Sequence, residues 1–279
     1  MIITNSTEHM QELTAIVRKN KTIGFVPTMG ALHQGHLSLV KLAMERCDFT
    51  VVSIFVNPKQ FNNPEDFKNY PRTQEADTNL LSEVGVNLVF IPSEKEIYPA
   101  PDTRVFDFGE TGNVMEGLHR PGHFNGVAQV VTRLFNIVNP TMAFFGEKDF
   151  QQLAIIKLLV DQIDLPIQIV SCPIVREYDG LAMSSRNRLL NNNQRMHVPL
   201  IARTLFEAKE KMEYVGVTDL SKWVKDTIDA DPELKTEYAE IVNAKTLQPI
   251  ITWDDANNIQ LCVAVHANTI RLIDNIRLK

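Results

Sequence analysis

Two histidines, His33 and His36, close a glycine turn in the segment Pro27-Thr28-Met29-Gly30-Ala31-Leu32-His33-Gln34-Gly35-His36-Leu37. Gly30 and Gly35 have the spacing of a phosphate-binding loop, but His36 and Leu37 stand where that loop needs Lys and Ser/Thr. A dinucleotide fingerprint fails as well, for want of a further glycine at the right offset. What remains is a turn that lets backbone approach a ligand, with two imidazoles at a helix start. The N–H groups and dipole of such a start favour an anion. A histidine there can donate to phosphate oxygens and neutralise charge that grows in a transition state. A surface histidine pair and an HxxH zinc site are the competing readings. The zinc reading lacks the Glu of HExxH and a third-ligand motif.

Three further segments carry polar chemistry. In Asn57-Pro58-Lys59-Gln60-Phe61, Asn57 and Gln60 are suited to hydrogen-bond a small hydroxylated substrate, or simply to satisfy a turn. In Gly146-Glu147-Lys148-Asp149-Phe150-Gln151-Gln152, Lys148 is a flexible cation for a phosphate, and Asp149 suits a ribose hydroxyl or magnesium. Gln152, one turn along, is expected to face the same cleft as Gln60. In Met183-Ser184-Ser185-Arg186, two hydroxyls and a guanidinium make a compact oxyanion binder, although Ser-Ser is also an ordinary helix cap.

The elements that position these segments are readable from periodicity. Helices are expected at 7–17 (capped by Ser6), from about 35, and at 73–84, 126–138 and 150–163. Apolar runs at 22–26, 51–56, 87–91, 142–145 and 167–170 read as buried strands. Strands alternating with helices predict an α/β fold, a parallel sheet with helices on both faces. Ligands in such folds sit beyond the carboxyl ends of strands, where the first three segments fall. After about Val175 the pattern changes: long helical stretches at 192–215 and 220–228 precede short strands at 237–242, 260–265 and 269–273. This predicts a first domain over 1–175 and a smaller C-terminal α+β domain over 176–279.

Composition narrows the function. The chain has 279 residues, 44% hydrophobic and 22% charged, a globular balance long enough for two domains. With 28 Lys+Arg against 34 Asp+Glu the net charge is −6, which argues against nonspecific nucleic-acid binding. No run is apolar enough to span a membrane, and the first residues lack the pattern of a signal peptide. Cys47, Cys172 and Cys262 are scattered without a CxxC pair, as expected of a reduced, cytoplasmic protein.

With these segments in hand, the sequence resembles the pantothenate synthetases, or pantoate–β-alanine ligases. The matching blocks are PTMGALHQGH (27–36), SIFVNPKQF (53–61), YPRT (70–73), RPGHFNGVAQVV (120–131), FGEKDFQQL (145–153), DGLAMSSRN (179–187) and RLIDN (271–275). The HxGH and MSSR segments also resemble the signatures of the wider HIGH-motif nucleotidylyltransferases.

The resemblance implies a Rossmann-like sheet domain with a smaller C-terminal lid. It implies ATP-dependent condensation of pantoate with β-alanine, through a pantoyl adenylate, releasing AMP and pyrophosphate. ATP-binding residues would be Met29, Gly30, Ala31, Leu32, His33, Gln34, Gly35 and His36, then Gly146, Glu147, Lys148, Asp149 and Val175, then Met183, Ser184, Ser185 and Arg186. Catalytic roles would fall on His33, His36, Lys148, Ser184, Ser185 and Arg186. Gln60 and Gln152 would bind pantoate, and Gln60 also β-alanine. Magnesium would be held by the ATP phosphates, with Asp149 a further candidate. The family setting is a cytoplasmic homodimer; the acidic balance and the lack of an apolar span separately argue for no nucleic-acid or membrane partner. A different nucleotidyltransferase acting on a cofactor precursor is the alternative.

Overall fold

Six strands, β1 (Ile2–Thr4), β2 (Ile23–Thr28), β3 (Phe49–Ile54), β4 (Leu88–Phe90), β5 (Met142–Gly146) and β6 (Gln168–Cys172), pair in the order β1-β4-β3-β2-β5-β6. Every neighbouring pair is parallel. The computed structural model describes residues 1–279. Chain order runs outward from β2 through β3 to β4 on one side, and from β5 to β6 on the other. The direction of winding therefore reverses between β2 and β5, the point where doubly wound sheets bind ligands.

The strands are apolar throughout because both faces are covered. On one face, Val26, Val52, Val89, Phe144 and Val170 pack with Leu37, Val40 and Ala43 of α2 (Gln34–Arg46; α1 is Thr7–Val17) and with Leu81 of α3 (Gln74–Glu83). On the other, Phe25 and Phe145 meet Phe135 of α4 (His123–Val138) edge-on, with centroids 6.3 and 6.4 Å apart.

The chain forms two compact units, whose segments alternate along the sequence. The sheet unit comprises Met1–Phe108, Arg120–Glu147 and Ile155–Pro173; the other comprises Gly109–His119, Lys148–Ala154 and Ile174–Lys279. Sequence reading draws one cut near 175 and gives 109–119 and 148–154 to the first domain. The reason for the difference lies in the second unit's own sheet, the antiparallel β7 (Leu234–Asn243), β8 (Ile259–Ala267) and β9 (Ile270–Arg277). Alternate residues of β8 face opposite ways. Leu261, Val263 and Val265 pack with Leu205 of α6 (Pro199–Lys211) and Leu220 and Val224 of α7 (Val217–Asp229). Cys262 and Ala264 pack instead with Met115, Val114 and Phe150, the last from the start of α5 (Phe150–Gln162). The second face is thus apolar, and the two inner segments cover it.

A buried ion pair fixes one of them. The Glu116 carboxylate accepts from both terminal nitrogens of Arg271 at 2.8 and 2.6 Å and from the Tyr238 hydroxyl at 2.8 Å. Gln151 fixes the same segment, donating to the carbonyls of Thr111 and Val114, both at 2.8 Å, and accepting the Glu116 N–H at 2.9 Å.

Most expected elements form within a few residues of their predicted ends. The long helical stretch at 192–215 is two helices, Asn192–His197 and α6, because Pro199 has no N–H to continue the first. Strand β1 is too short for a pattern and escapes sequence reading. No helix is long and apolar enough to cross a membrane.

Candidate active site

The turn after β2 is held from beneath. Thr28 donates its hydroxyl to the Ser53 carbonyl at 2.7 Å and accepts the Gly30 N–H at 3.2 Å. Gly30 (φ 78°) and Ala31 (φ 52°) then adopt left-handed backbone, which aims successive N–H groups to one side. A buried carboxylate fills that concavity. Asp77 accepts from Ala31 N and Leu32 N, both at 2.8 Å, and from the Thr73 hydroxyl at 3.1 Å. Ala31 and Leu32 are themselves buried. Their N–H groups, which sequence reading offers to a ligand, are spent on Asp77. A side chain at Gly30 would also press on Asp77 and Ile54, each 3.0 Å from its β-carbon.

The turn delivers the two histidines to the start of α2, where they cap it. His33 Nδ1 accepts Gly35 N–H at 3.2 Å, and His36 Nδ1 accepts His33 N–H at 3.4 Å. The rings lie 4.1 Å apart between centroids. Because both Nδ1 atoms accept, each neutral ring carries its proton on Nε2, the nitrogen able to donate to an anion. Met29 is half-buried, Gln34 is exposed and opens the helix, and Gly35 follows it in the first turn.

Gln60 sits in a short turn after β3, and its amide is oriented by Asn57. Asn57 accepts from the Tyr98 hydroxyl (2.9 Å) and donates to the Gly126 carbonyl (3.1 Å) and to Gln60 Oε1 (3.1 Å). Gln60 Nε2 therefore points the other way, 3.0 Å from the Met29 sulfur. The Gln60 carbonyl accepts from His123 Nδ1 at 2.8 Å and Arg120 Nη2 at 3.2 Å. These are the residues that sequence reading misses. Arg120 and His123 belong to the RPGHF block and hold the backbone of Gln60. Gly126 is glycine because a β-carbon there would lie 2.2 Å from the Lys59 carbonyl oxygen. Asn57 is buried and acts as a support for Gln60.

Beneath this turn, Lys59 donates to the Asp102 carbonyl (3.3 Å) and Gln129 Oε1 (3.2 Å) and lies over the Tyr98 ring. Asp102 pairs with Arg104 (2.6 Å) and Arg133 (2.7 Å). Hydrogen bonding from Arg104, reinforced by Arg133, outweighs burial and holds the Asp102 carboxyl well below the usual range. Burial pushes the Tyr98 phenol up, so it stays a hydrogen-bond donor.

The remaining expected residues follow β5. Gly146 ends that strand, and Glu147 N–H donates to the Cys172 carbonyl at 2.8 Å, both within the sheet unit. Lys148 and Asp149 begin the other unit's segment. The Lys148 ammonium is 3.7 Å from the Asp149 carboxylate and its backbone carbonyl accepts from Asn275 at 2.9 Å. Of the two glutamines that follow, Gln151 is the structural one and Gln152 is half-buried without a side-chain hydrogen bond in the chain. In the same unit, Val175 accepts the Met183 N–H at 3.0 Å, which draws residues 175–183 into a tight hairpin. Ser184 Oγ accepts Arg186 N–H at 3.3 Å, so it caps the 3-10 turn Ser185–Leu189, as the plainer sequence reading has it. Ser185 is buried.

The arrangement resembles known proteins over its full length. A family model described as pantoate-beta-alanine ligase matches residues 2–277. The chain belongs to the pantoate–β-alanine ligase family. The pantothenate synthetase of Porphyromonas gingivalis is 50% identical over 278 residues, 99% of each chain. That of Phocaeicola vulgatus is 53% identical over 273 residues, 98% of this chain and 97% of the relative. Among solved structures, the Thermus thermophilus pantothenate synthetase aligns with a TM-score of 0.93 at 40% identity, covering 100% of this chain and 99% of that one. The Francisella tularensis pantoate-beta-alanine ligase, solved in complex with beta-gamma ATP and beta-alanine, aligns with a TM-score of 0.79 at 35% identity, covering 100% and 98%. Family membership thus agrees with the α/β fold.

Proposed function

We propose that this chain condenses (R)-pantoate with β-alanine at the expense of ATP, through an enzyme-bound pantoyl adenylate, giving pantothenate, AMP and pyrophosphate. The carrying observation is the family match across residues 2–277. The Francisella relative, whose complex holds an ATP compound and β-alanine, supports the same substrates here.

The chemistry explains the residue types. A carboxylate resists amines because its leaving group would be oxide, and adenylation replaces that group with AMP. In the first step a pantoate carboxylate oxygen bonds to the α-phosphorus, and the bond from that phosphorus to the bridging oxygen breaks. Pyrophosphate leaves with the electron pair. Charge shifts onto the bridging and terminal oxygens, so donors fixed there favour the transition state over the ground state. We assign His33 and His36 that role through Nε2–H, together with Lys148, Ser184, Ser185 and Arg186. In the second step the neutral amine of β-alanine attacks the acyl carbon, AMP departs, and the nitrogen loses a proton. No protein nucleophile is needed.

Met29, Gly30, Gln34, Gly35, Gly146, Glu147, Asp149, Val175 and Met183 are assigned to ATP as lining and backbone contacts. Ala31 and Leu32 contribute to the shape of the turn, since their N–H groups serve Asp77. Gln60, its NH₂ end set by Asn57, is assigned to pantoate and β-alanine, and Gln152 to pantoate. The chain has no cluster of three carboxylate, imidazole or thiol groups suited to a resident metal. Its donor set fits magnesium that arrives on the triphosphate, with Asp149 as the available carboxylate, and there it would neutralise phosphate charge. A homodimer in the cytoplasm is the family-based reading of assembly and setting.

Turnover with pantoate, β-alanine and ATP tests the proposal. Pantothenate and AMP should appear in equal amounts; ADP in place of AMP, or no pantothenate, would overturn it.

A further inference from the structure

Among the blocks shared with the family, RLIDN (271–275) has so far supplied only Arg271, the partner of Glu116. It forms most of β9, and its last residue, Asn275, is 3% exposed. The orientation of the Asn275 amide is set by its neighbour on β8. Gln260 Nε2 donates to Asn275 Oδ1 at 2.6 Å, so the amide nitrogen faces the opposite way. That nitrogen donates to the Lys148 carbonyl at 2.9 Å. The Asn275 carbonyl in turn accepts from Arg176 Nη2 at 3.2 Å. Arg176 grips the buried Asp274 carboxylate with both terminal nitrogens, at 2.7 and 2.9 Å, and also donates to the Gly180 carbonyl at 3.0 Å. Arg176 pairs across the hairpin with Ala182, immediately before Met183. One strand end therefore holds two loops: one carries Lys148, and the other leads into Met183–Arg186.

We propose that Asn275 is a positioning residue for Lys148, with the adjoining Asp274–Arg176 pair fixing the 176–182 hairpin against the same strand end. The proposal rests on the assignment of Lys148 to the ATP phosphates. A lysine ends in a point charge on a flexible stem, so the place its ammonium can reach depends on where its backbone is anchored. The loop carbonyl of Lys148 is anchored by a side chain whose own direction is fixed. Preorganisation of a charge stabiliser is worth more than its mere presence. A buried amide with a purely structural role would use the same hydrogen bonds, so the test must separate the two.

The decisive measurement is a double-mutant cycle on the exchange of labelled pyrophosphate into ATP with pantoate present and β-alanine absent. The proteins are the full chain, Asn275→Ala, Lys148→Ala and the double variant, each normalised to folded protein by thermal melting. Asn275→Ala should slow exchange about tenfold with little change in the KM for pantoate. Within the Lys148→Ala background the same substitution should cost almost nothing, because the residue it positions is gone. Gln260→Met, which removes only the orienting donor, should repeat the pattern at about threefold and replaces Asn275→Ala if that variant does not fold. Equal fractional losses in both backgrounds would overturn the proposal, as would unchanged exchange in a folded Asn275→Ala or Gln260→Met. Absence of exchange in the unsubstituted chain would instead remove the adenylate reading, and the proposal with it, a failure the control reveals by itself.

Discussion

Asn57 Nδ2 stands 3.1 Å from Gln60 Oε1, and this single hydrogen bond decides which end of the Gln60 amide is turned away from the protein's interior support. The decision is made further back, by the Tyr98 hydroxyl that donates to Asn57 Oδ1 at 2.9 Å. Tyr98→Phe keeps the ring under Lys59 and Arg133 but leaves Asn57 short of a donor. Stability should fall by about 1–2 kcal/mol, the cost of a lost hydrogen bond and an under-satisfied buried acceptor. The KM for pantoate should rise roughly three- to tenfold with kcat nearly kept. An unchanged KM would mean that Gln60 is oriented by other means.

Asp77→Asn tests the support of the histidine turn. A carboxamide offers one acceptor oxygen where two backbone N–H groups now bind two, and its NH₂ would face a donor. We expect a loss of about 1–3 kcal/mol in urea unfolding. Gly30→Ala should cost about as much, from its left-handed backbone and its close neighbours. A denaturation midpoint unmoved by Asp77→Asn would show that the turn holds itself.

Within the adenylation half-reaction, Lys148→Ala should cut pyrophosphate exchange by roughly 10²–10³, equivalent to about 2.7–4 kcal/mol of transition-state stabilisation. Gln152→Ala should instead weaken pantoate binding, since an amide contacts the substrate in ground and transition states alike. Exchange left intact by Lys148→Ala would move the phosphate site elsewhere.

Acid should loosen the second unit at a definable place. Burial acts to raise the Asp229 carboxyl, but hydrogen bonds from Lys225 and from the Thr236 backbone (2.6 Å) outweigh it and bring the pKa to about 2. An unfolded aspartate titrates near about 3.9. The folded pKa is the lower one, so the interaction stabilises the fold above the unfolded value and is lost as pH falls through the folded value. Urea midpoints should therefore drop between about pH 4 and pH 2. Asp229→Asn should lower the midpoint at neutral pH and flatten that part of the acid dependence; a parallel acid profile would exclude the role.

The parts of this molecule that sequence reveals are those whose cause is local. Val51 and Val52 sit in an unbroken β-branched run because both sheet faces are buried, and the run itself says so. The histidine turn and the Lys148 segment were findable because each follows a strand. Asp77 was not, because its partners are backbone N–H groups 46 and 45 residues away and nothing in its own helix distinguishes it. Glu116 likewise looks like a surface acid until Arg271, 155 residues later, is beside it. Asn57 is legible as a turn amide from its type and place, but its role of orienting Gln60 shows only with Tyr98 and Gly126 around it.

The interleaving of the chain limits what can be transplanted. A graft of residues 174–279 onto another scaffold would carry the three-stranded sheet but leave behind Met115, Phe150 and the Glu116 carboxylate. Tyr238 would arrive with no acceptor for its hydroxyl and Arg271 with Glu237 as the one acid left of its two, and one sheet face would be bare. The C-terminal region is therefore not a detachable cassette. Domain-swap chimaeras within this family should succeed only when residues 109–119 and 148–154 are exchanged together with it.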